Sequence, residues 1–224
     1  PTLTIGSDHM KIDDKQTILF IGDSITDCGR NHPIGEGNGL GSGYVAIVDS
    51  LLTSFYPEKQ IRVINTGTGG HRVTDLAHRW QTDAMDIAPD WLSIMIGIND
   101  VWRQFDNINL VEQIHPERFE STYRELLGQT RSHLRGLTLM TPFYLETNTE
   151  DPMRKLMDCY GQIVKHLASD YDAEFVDTQC FFNQHLAHRP TQSICGDRVH
   201  PNQAGHMILA RAFLSSISFD WGRT

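Results

Sequence analysis

The sequence predicts an α/β protein, a three-layer α/β/α sandwich built around a parallel sheet. Two observations carry the prediction. Short apolar runs, each too brief for a buried helix and rich in Ile, Val, Leu and aromatics, recur along the chain. Between them lie longer segments whose apolar residues repeat with helical period. Strands alternating with helices pair in parallel through right-handed crossovers, and runs that are apolar throughout suit strands covered on both faces.

The first strand is expected over residues 18–21, ILFI, and it runs straight into Gly22-Asp23-Ser24. The glycine-rich segment 35–43, GEGNGLGSG, lacks the G-x-G-x-x-G spacing of a dinucleotide site and does not directly follow a strand, so it reads as a mobile loop near an active site. A helix comes next, with Tyr44, Val48, Leu51, Leu52 and Phe55 on one face. Residues 61–64 and 91–96 supply the second and third strands. The next helix, which Pro116 can start and Gly136 can stop, carries Phe119, Tyr123, Leu126, Leu127 and Leu134. The fourth strand covers residues 137–140. The clearest stripe is Met153, Leu156, Met157, Tyr160, Ile163, Val164 and Leu167, with Asp151 as N-cap and Pro152 at the first helical position. A fifth strand is expected over residues 174–176, and a last helix runs from about Asn202 to Ser216 with Met207, Ala210, Leu214 and Ile217 on its stripe.

Composition narrows the function classes. The chain has 224 residues, 39% of them hydrophobic and 21% charged, enough for one sizeable core but not for two comfortable domains. A net charge of −9 argues against a nucleic-acid partner, because binding a phosphate backbone concentrates Lys and Arg on one face. No apolar run approaches the ~18–20 residues that span a bilayer, so no membrane partner is expected either. The first nine residues, PTLTIGSDH, fit poorly with the rest of the chain and have the character of a vector-derived leader, which leaves a single domain over residues 10–224. From Met10 onward, MKIDDKQ has no apolar h-region of a secretory signal. Cys28, Cys159, Cys180 and Cys195 form no Cys-x-x-Cys pair and suit a reducing cytoplasm. His185 and His188 share a helical face but lack a third ligand, so they read as surface histidines and not a zinc site.

Chemistry is expected beyond the carboxyl ends of the strands, where open α/β sheets bind ligands. The polar residues there are Gly22-Asp23-Ser24, then Asn65-Thr-Gly67-Thr-Gly69-Gly70, then Gly97-Ile-Asn99-Asp100, and later Asp197-Arg-Val-His200-Pro201. These are the parts of a serine acyl-transfer site. A serine hydroxyl needs a base to take its proton, and a neutral imidazole such as His200 is one. Asp197 lies three residues before His200, a spacing that lets its carboxylate reach ring Nδ1 on a helical turn or tight loop. The order Ser, Asp, His matches the α/β-hydrolases, yet no G-x-S-x-G elbow occurs, so the strand's own end must present Ser24. Gly22 keeps that turn free of a side chain, and Asp23 shapes it by side-chain-to-backbone hydrogen bonding. The backbone N–H of Ser24, that of Gly70 and the Asn99 side-chain amide are the candidate oxyanion donors, with Gly67 and Gly69 as alternatives to Gly70.

GDSIT, INTGTGG, GIND and DRVHP resemble the four signature blocks of the SGNH (GDSL-type) hydrolases, a likeness that runs from Ile18 to about Gly205. Ile25 stands where the family has leucine, a conservative change. The resemblance implies a flavodoxin-like sheet of five parallel strands in the order 2-1-3-4-5. It implies Ser24 as nucleophile, Asp197 and His200 as its partners, and Ser24, Gly70 and Asn99 as the oxyanion hole; Gly70 is preferred because it lies five residues after Asn65. Further stretches, LFIGDSITDCGR, SIMIGINDVWRQ, LMTPFY, DPMRKLMD and AGHMILARAFL, resemble the intracellular acetylxylan esterases of xylan-degrading bacteria. That likeness implies an acetylated xylo-oligosaccharide or another small acetylated sugar as substrate, a cytoplasmic location and a homo-oligomer. Asp23, Trp102 and Tyr144 are carried as candidate substrate contacts. For Trp102, packing on a sugar and filling the core weigh equally; for Phe105, Phe143 and Tyr144 core filling weighs more. The mechanism requires no metal and no organic cofactor. The alternatives are a lipid esterase, thioesterase or lysophospholipase on the same scaffold and a non-catalytic carbohydrate-binding protein, with a flavin-binding protein more remote.

Overall fold

The structure is a computed structural model that describes residues 9–109 and 112–223. The leader expected over residues 1–9 lies outside them but for His9. From Met10 on the chain is part of the fold: Met10 and Ile12 are buried, and the Lys11 N–H donates to the Ile217 carbonyl.

Five parallel strands form the sheet's body: β1 (Thr17–Gly22), β3 (Arg62–Asn65), β4 (Trp91–Met95), β5 (Gly136–Met140) and β6 (Glu174–Val176). Among themselves they follow the expected order, with β1 between β3 and β4. The sheet also has a sixth member. Residues Gly35–Glu36 form β2, which pairs antiparallel with the outer side of β3, so the full order is β2-β3-β1-β4-β5-β6. This corrects both the five-strand count and the reading of residues 35–43 as a loop. A 3-10 turn at Gly37–Gly39 continues the segment, and Leu40 is buried behind it. Two residues paired through backbone hydrogen bonds and an Arg62–Glu36 ion pair leave no apolar period to read.

The helices are α1 (Ser24–Asp27), α2 (Tyr44–Phe55), α3 (Val73–Trp80), α4 (Ile98–Asp106), α5 (Pro116–Thr130), α6 (Pro152–Asp170), α7 (Thr178–Leu186) and α8 (Gln203–Ser216). Helix α8 packs against α2 and α7, whereas α5 packs against α3 and α6 and α4 packs against α6. Both α6 and α8 lie against β5 and β6, so the two groups cover opposite faces of the sheet. Every residue of β4 and β5 is buried as a result. Asp151 caps α6 as expected, accepting from the Arg154 N–H at 3.0 Å. Helix α5 stops earlier than its stripe implies. Its last turn tightens to a 3-10 turn at Arg131–His133, and Gly136 opens β5 because a Cβ there would lie 2.3 Å from the Trp91 indole.

Candidate active site

The Ser24 turn is shaped by close packing. A Cβ on Gly22 would stand 2.4 Å from the Met95 carbonyl oxygen on the neighbouring strand, so only glycine lets β1 end there. Asp23 then adopts an extended conformation as N-cap of α1, and its Oδ1 accepts the Ile25 N–H at 3.0 Å. The Asn65 side chain braces the turn from β3, donating to the carbonyls of Thr26 at 2.7 Å and Leu40 at 3.0 Å. Thr26 in turn shares a buried hydrogen bond with the Tyr44 hydroxyl. Ser24, first residue of α1, is left at the rim.

The partner loop approaches from before α8. An isolated bridge between Cys195 and Pro201 closes it, with the Asn202 N–H donating to the Ile194 carbonyl at 2.7 Å. The three-residue spacing is realised by a tight turn and not a helix. Asp197 Oδ1 accepts the backbone N–H groups of Val199 at 2.9 Å and His200 at 2.8 Å, and Arg198 takes a left-handed conformation. Asp197 Oδ2 lies 2.6 Å from His200 Nδ1, and His200 Nε2 lies 3.0 Å from Ser24 Oγ. Partial burial works against ionisation of Asp197, but hydrogen bonds from the His200 backbone and ring, Val199 and Cys195 outweigh it and hold the carboxyl well below the usual range.

Of the expected oxyanion donors, the Asn99 side-chain amide keeps one hydrogen beyond its bond to the His71 carbonyl. The geometry separates the three glycines of the second block. Gly67 N–H donates to Asn65 Oδ1 at 2.8 Å and Gly69 N–H to Asp27 Oδ2 at 3.0 Å, whereas Gly70 takes a left-handed conformation, φ +79°, that favours glycine. Asn99 is buried at the start of α4; its Nδ2 donates to the His71 carbonyl at 3.1 Å, and its Oδ1 accepts from Arg103 at 3.3 Å. Those contacts fix the direction of its amide.

The candidate substrate contacts fare unequally. The half-buried Trp102 ring sits 6.0 Å from the His200 ring, with the Arg103 guanidinium 4.5 Å above its centre. Tyr144 is also half-buried and lines a small cleft with Gln192, Asp197 and Arg198. Asp23 is fully buried and cannot meet substrate directly, which corrects that expectation; its capping role stands. Phe143 fills the core against Phe182, but Phe105 is exposed, contrary to the core reading. Among the described residues no cluster of His, Cys, Asp or Glu could hold a metal ion, and the His185 Nε2 meets the Ser193 hydroxyl at 3.0 Å.

Two side chains have supporting roles that the sequence did not reveal. Arg79 on α3 donates to the carbonyls of Gly22 and Thr66 and to His71 Nδ1, so it ties the first block to the second. Asp100, buried in α4, accepts the Val73 N–H and ties the second block to the third; burial pushes its carboxyl up to about 7. Neither carries a local pattern, since each acts on backbone groups far away in sequence.

A hydroxyl, an imidazole and a carboxylate joined in one hydrogen-bonded row, at the C-terminal rim of a parallel sheet, form the arrangement of a serine acyl-transfer hydrolase of α/β architecture. Comparison with known proteins sharpens the class. Residues 20–208 match the GDSL-like lipase/acylhydrolase family, and the chain belongs to that family. It is 52% identical over 218 residues to an acetylxylan esterase of Geobacillus stearothermophilus, covering 96% of this chain and 100% of the relative. The crystal structure of that esterase superposes with a TM-score of 0.94 at 52% identity, over 96% of this chain and 100% of the other. Catalytic mutants of the same esterase, solved separately, replace a serine, an aspartate and a histidine by alanine. An α/β hydrolase from the metagenome of Lake Arreo, Spain, superposes with a TM-score of 0.91 at 41% identity, covering 94% of this chain and 98% of that one.

Proposed function

We propose that the protein is a serine carbohydrate esterase that removes O-acetyl groups from acetylated xylo-oligosaccharides through an acyl-enzyme. The observation that carries this reading is the row Asp197 Oδ2, His200 Nδ1, His200 Nε2, Ser24 Oγ, with separations of 2.6 and 3.0 Å. The near-full-length likeness to an acetylxylan esterase supplies the substrate class.

Ser24 Oγ attacks the acetyl carbonyl while His200 Nε2 takes its proton. Asp197, ionised, holds the ring with its proton on Nδ1 and stabilises the imidazolium that forms. The developing oxyanion is received by Ser24 N–H, Gly70 N–H and the Asn99 amide, and each such donor is worth ~3–4 kcal/mol of barrier. The His200 proton passes to the departing sugar oxygen, leaving acetate esterified to Ser24. His200 then takes a proton from water, whose oxygen attacks the acyl carbon, and returning that proton to Ser24 Oγ releases acetate. Trp102, beside His200, and Tyr144, in the cleft with Asp197 and Arg198, are the aromatic side chains offered to the sugar.

The reading extends to a cytoplasmic homo-oligomer. Four free thiols suit a reducing compartment, and the exposed side chains of Ile34, Phe105, Ile108 and Trp221 offer area for subunit contacts. The decisive assay compares acetate release from acetylated xylo-oligosaccharides with hydrolysis of nitrophenyl esters from acetate to octanoate. A steep fall with acyl length is the expected result; a rise toward octanoate would transfer the assignment to a lipid esterase.

A further inference from the structure

Arg198 is the anomaly of the loop before α8. It stands between Asp197 and His200 with φ at +66°, in the left-handed region that favours glycine. That backbone serves the turn in which Asp197 Oδ1 accepts the N–H groups of Val199 and His200. An arginine is not required for it, because glycine takes the same φ without strain and any larger residue is strained by its Cβ. Stability does not account for the choice either. Arg198 Nη1 lies 3.0 Å from Glu146 Oε2, and the arginine side chain is 49% exposed. A half-exposed ion pair adds little to stability. A strained position that keeps a long charged side chain calls for a role for the side chain itself.

The surroundings show what the guanidinium reaches. Arg198 lines a cleft of about 320 Å³ with Tyr144, Thr191, Gln192, Gly196 and Asp197, so the cleft adjoins the row that ends at Ser24. Glu146, the partner of Arg198, is itself held in place: its Oε1 accepts the Asn148 N–H at 2.9 Å, and its carbonyl accepts from the buried Arg154. The neighbouring backbone is tied to the loop as well, with the Leu145 N–H donating to the Arg198 carbonyl at 3.0 Å. Glu146 thus fixes one edge of the guanidinium. Nη1 also lies 3.5 Å from the Tyr144 hydroxyl, too far for a firm hydrogen bond. Among the described residues every polar contact of the guanidinium runs through Nη1, which leaves Nε and Nη2 as donors toward a ligand. The charges of Arg198 and Glu146 cancel and Asp197 stays ionised, so the cleft suits an uncharged polar ligand and not an anion. A guanidinium fork spans two neighbouring hydroxyls of a sugar ring much as it spans the two oxygens of a carboxylate.

We propose that Arg198 is a specificity-determining residue: its guanidinium, held by Glu146, donates to two neighbouring hydroxyls of an uncharged sugar unit that lies on Tyr144, next to the unit whose acetyl group reaches Ser24. The proposal rests on the reading of the protein as a carbohydrate esterase and adds where the sugar is recognised. These bonds are made alike in the bound substrate and in the transition state, so their loss is felt in KM for sugar esters and not in acetyl transfer itself.

The test is Arg198→Gly, which keeps the left-handed turn and removes the fork. The kcat/KM for acetylated xylotriose is divided by that for nitrophenyl acetate, which offers no hydroxyls. This ratio is expected to fall about tenfold through KM, as loss of a hydrogen bond from a charged donor does. A disturbed turn would instead lower kcat on both esters together, and an unmoved ratio overturns the proposal. Binding of unacetylated xylotriose to Ser24→Ala and to Ser24→Ala/Arg198→Gly is followed by NMR titration, where no turnover is needed. Weaker binding in the double variant supports the proposal; equal binding, or no binding to Ser24→Ala, overturns it. Weaker binding there in a protein that cleaves octanoate faster than acetate supports the sugar subsite and overturns the deacetylase reading, so the two failures are told apart. Arg198→Asn, a residue that also tolerates a left-handed backbone, repeats the comparison if the glycine variant does not fold.

Discussion

Ser24 and His200 meet at 3.0 Å, yet the segments that bring them together are built differently. The turn around Ser24 is sealed: Gly22 lies against the Met95 carbonyl, Asp23 and Thr26 are buried, and Asn65 reaches across from β3 to brace it. The loop around His200 is open. The side chains of Asp197 and His200 each remain 46% exposed, and a short web of hydrogen bonds within residues 195–201 holds them. One segment is set by shape and the other by charge. A close-packed turn holds Ser24 in place, whereas an exposed loop leaves the His200 imidazole open to solvent.

That contrast predicts how each side breaks. The largest effect falls on the open side, where His200→Ala removes the base while the loop's backbone pairing persists. Turnover is expected to drop by at least about 10⁴-fold with an unchanged circular dichroism spectrum, as a group that acts in the chemical step should behave. Near-wild-type turnover in this variant would break the assignment. Next comes Asn99→Ala, which deletes one proposed oxyanion donor and the link to the His71 carbonyl. Steady-state kinetics should show kcat reduced by about 10²–10³-fold with KM little changed.

On the sealed side, Gly22→Ala drives a methyl group into the Met95 carbonyl. Overpacking of this kind costs about 1–3 kcal/mol, so a urea melt should show a clear loss of stability alongside lost activity. A variant as stable as the parent would mean that the turn is not set by shape. The smallest effect concerns charge on the open side. The Asp197 carboxyl is depressed in the folded protein, so its contribution to stability is present above the ordinary carboxyl value of 3.8 and fades as pH falls below it. Exposure screens that contribution to below about 1 kcal/mol. Asp197→Asn should therefore be slightly less stable than the parent at pH 7 and converge with it in strong acid. A gap that persists in acid would place the loop's stability in packing instead.

Local chemistry was legible in the chain. Residues 18–21 end in Gly-Asp-Ser, Asp197 stands three residues before His200, and Asp151-Pro152 starts a helix, all because caps, turns and apolar periods act over a few residues. These features located the strands and the polar residues that follow them, whereas the order of the five parallel strands came from the resemblance to the family. What the sequence did not carry lies in contacts between distant segments. That the N–H groups of Gly67 and Gly69 are taken by Asn65 and Asp27 is seen only in the folded chain. The short strand Gly35–Glu36 exists through its pairing with β3. Asp23 became a buried group only in the packed fold, and Arg79 and Asp100 found their acceptors and donors only across the folded rim. Burial and long-range hydrogen bonding are properties of the packed arrangement, so tertiary structure alone decides which polar groups are spent on holding the site and which stay free to react.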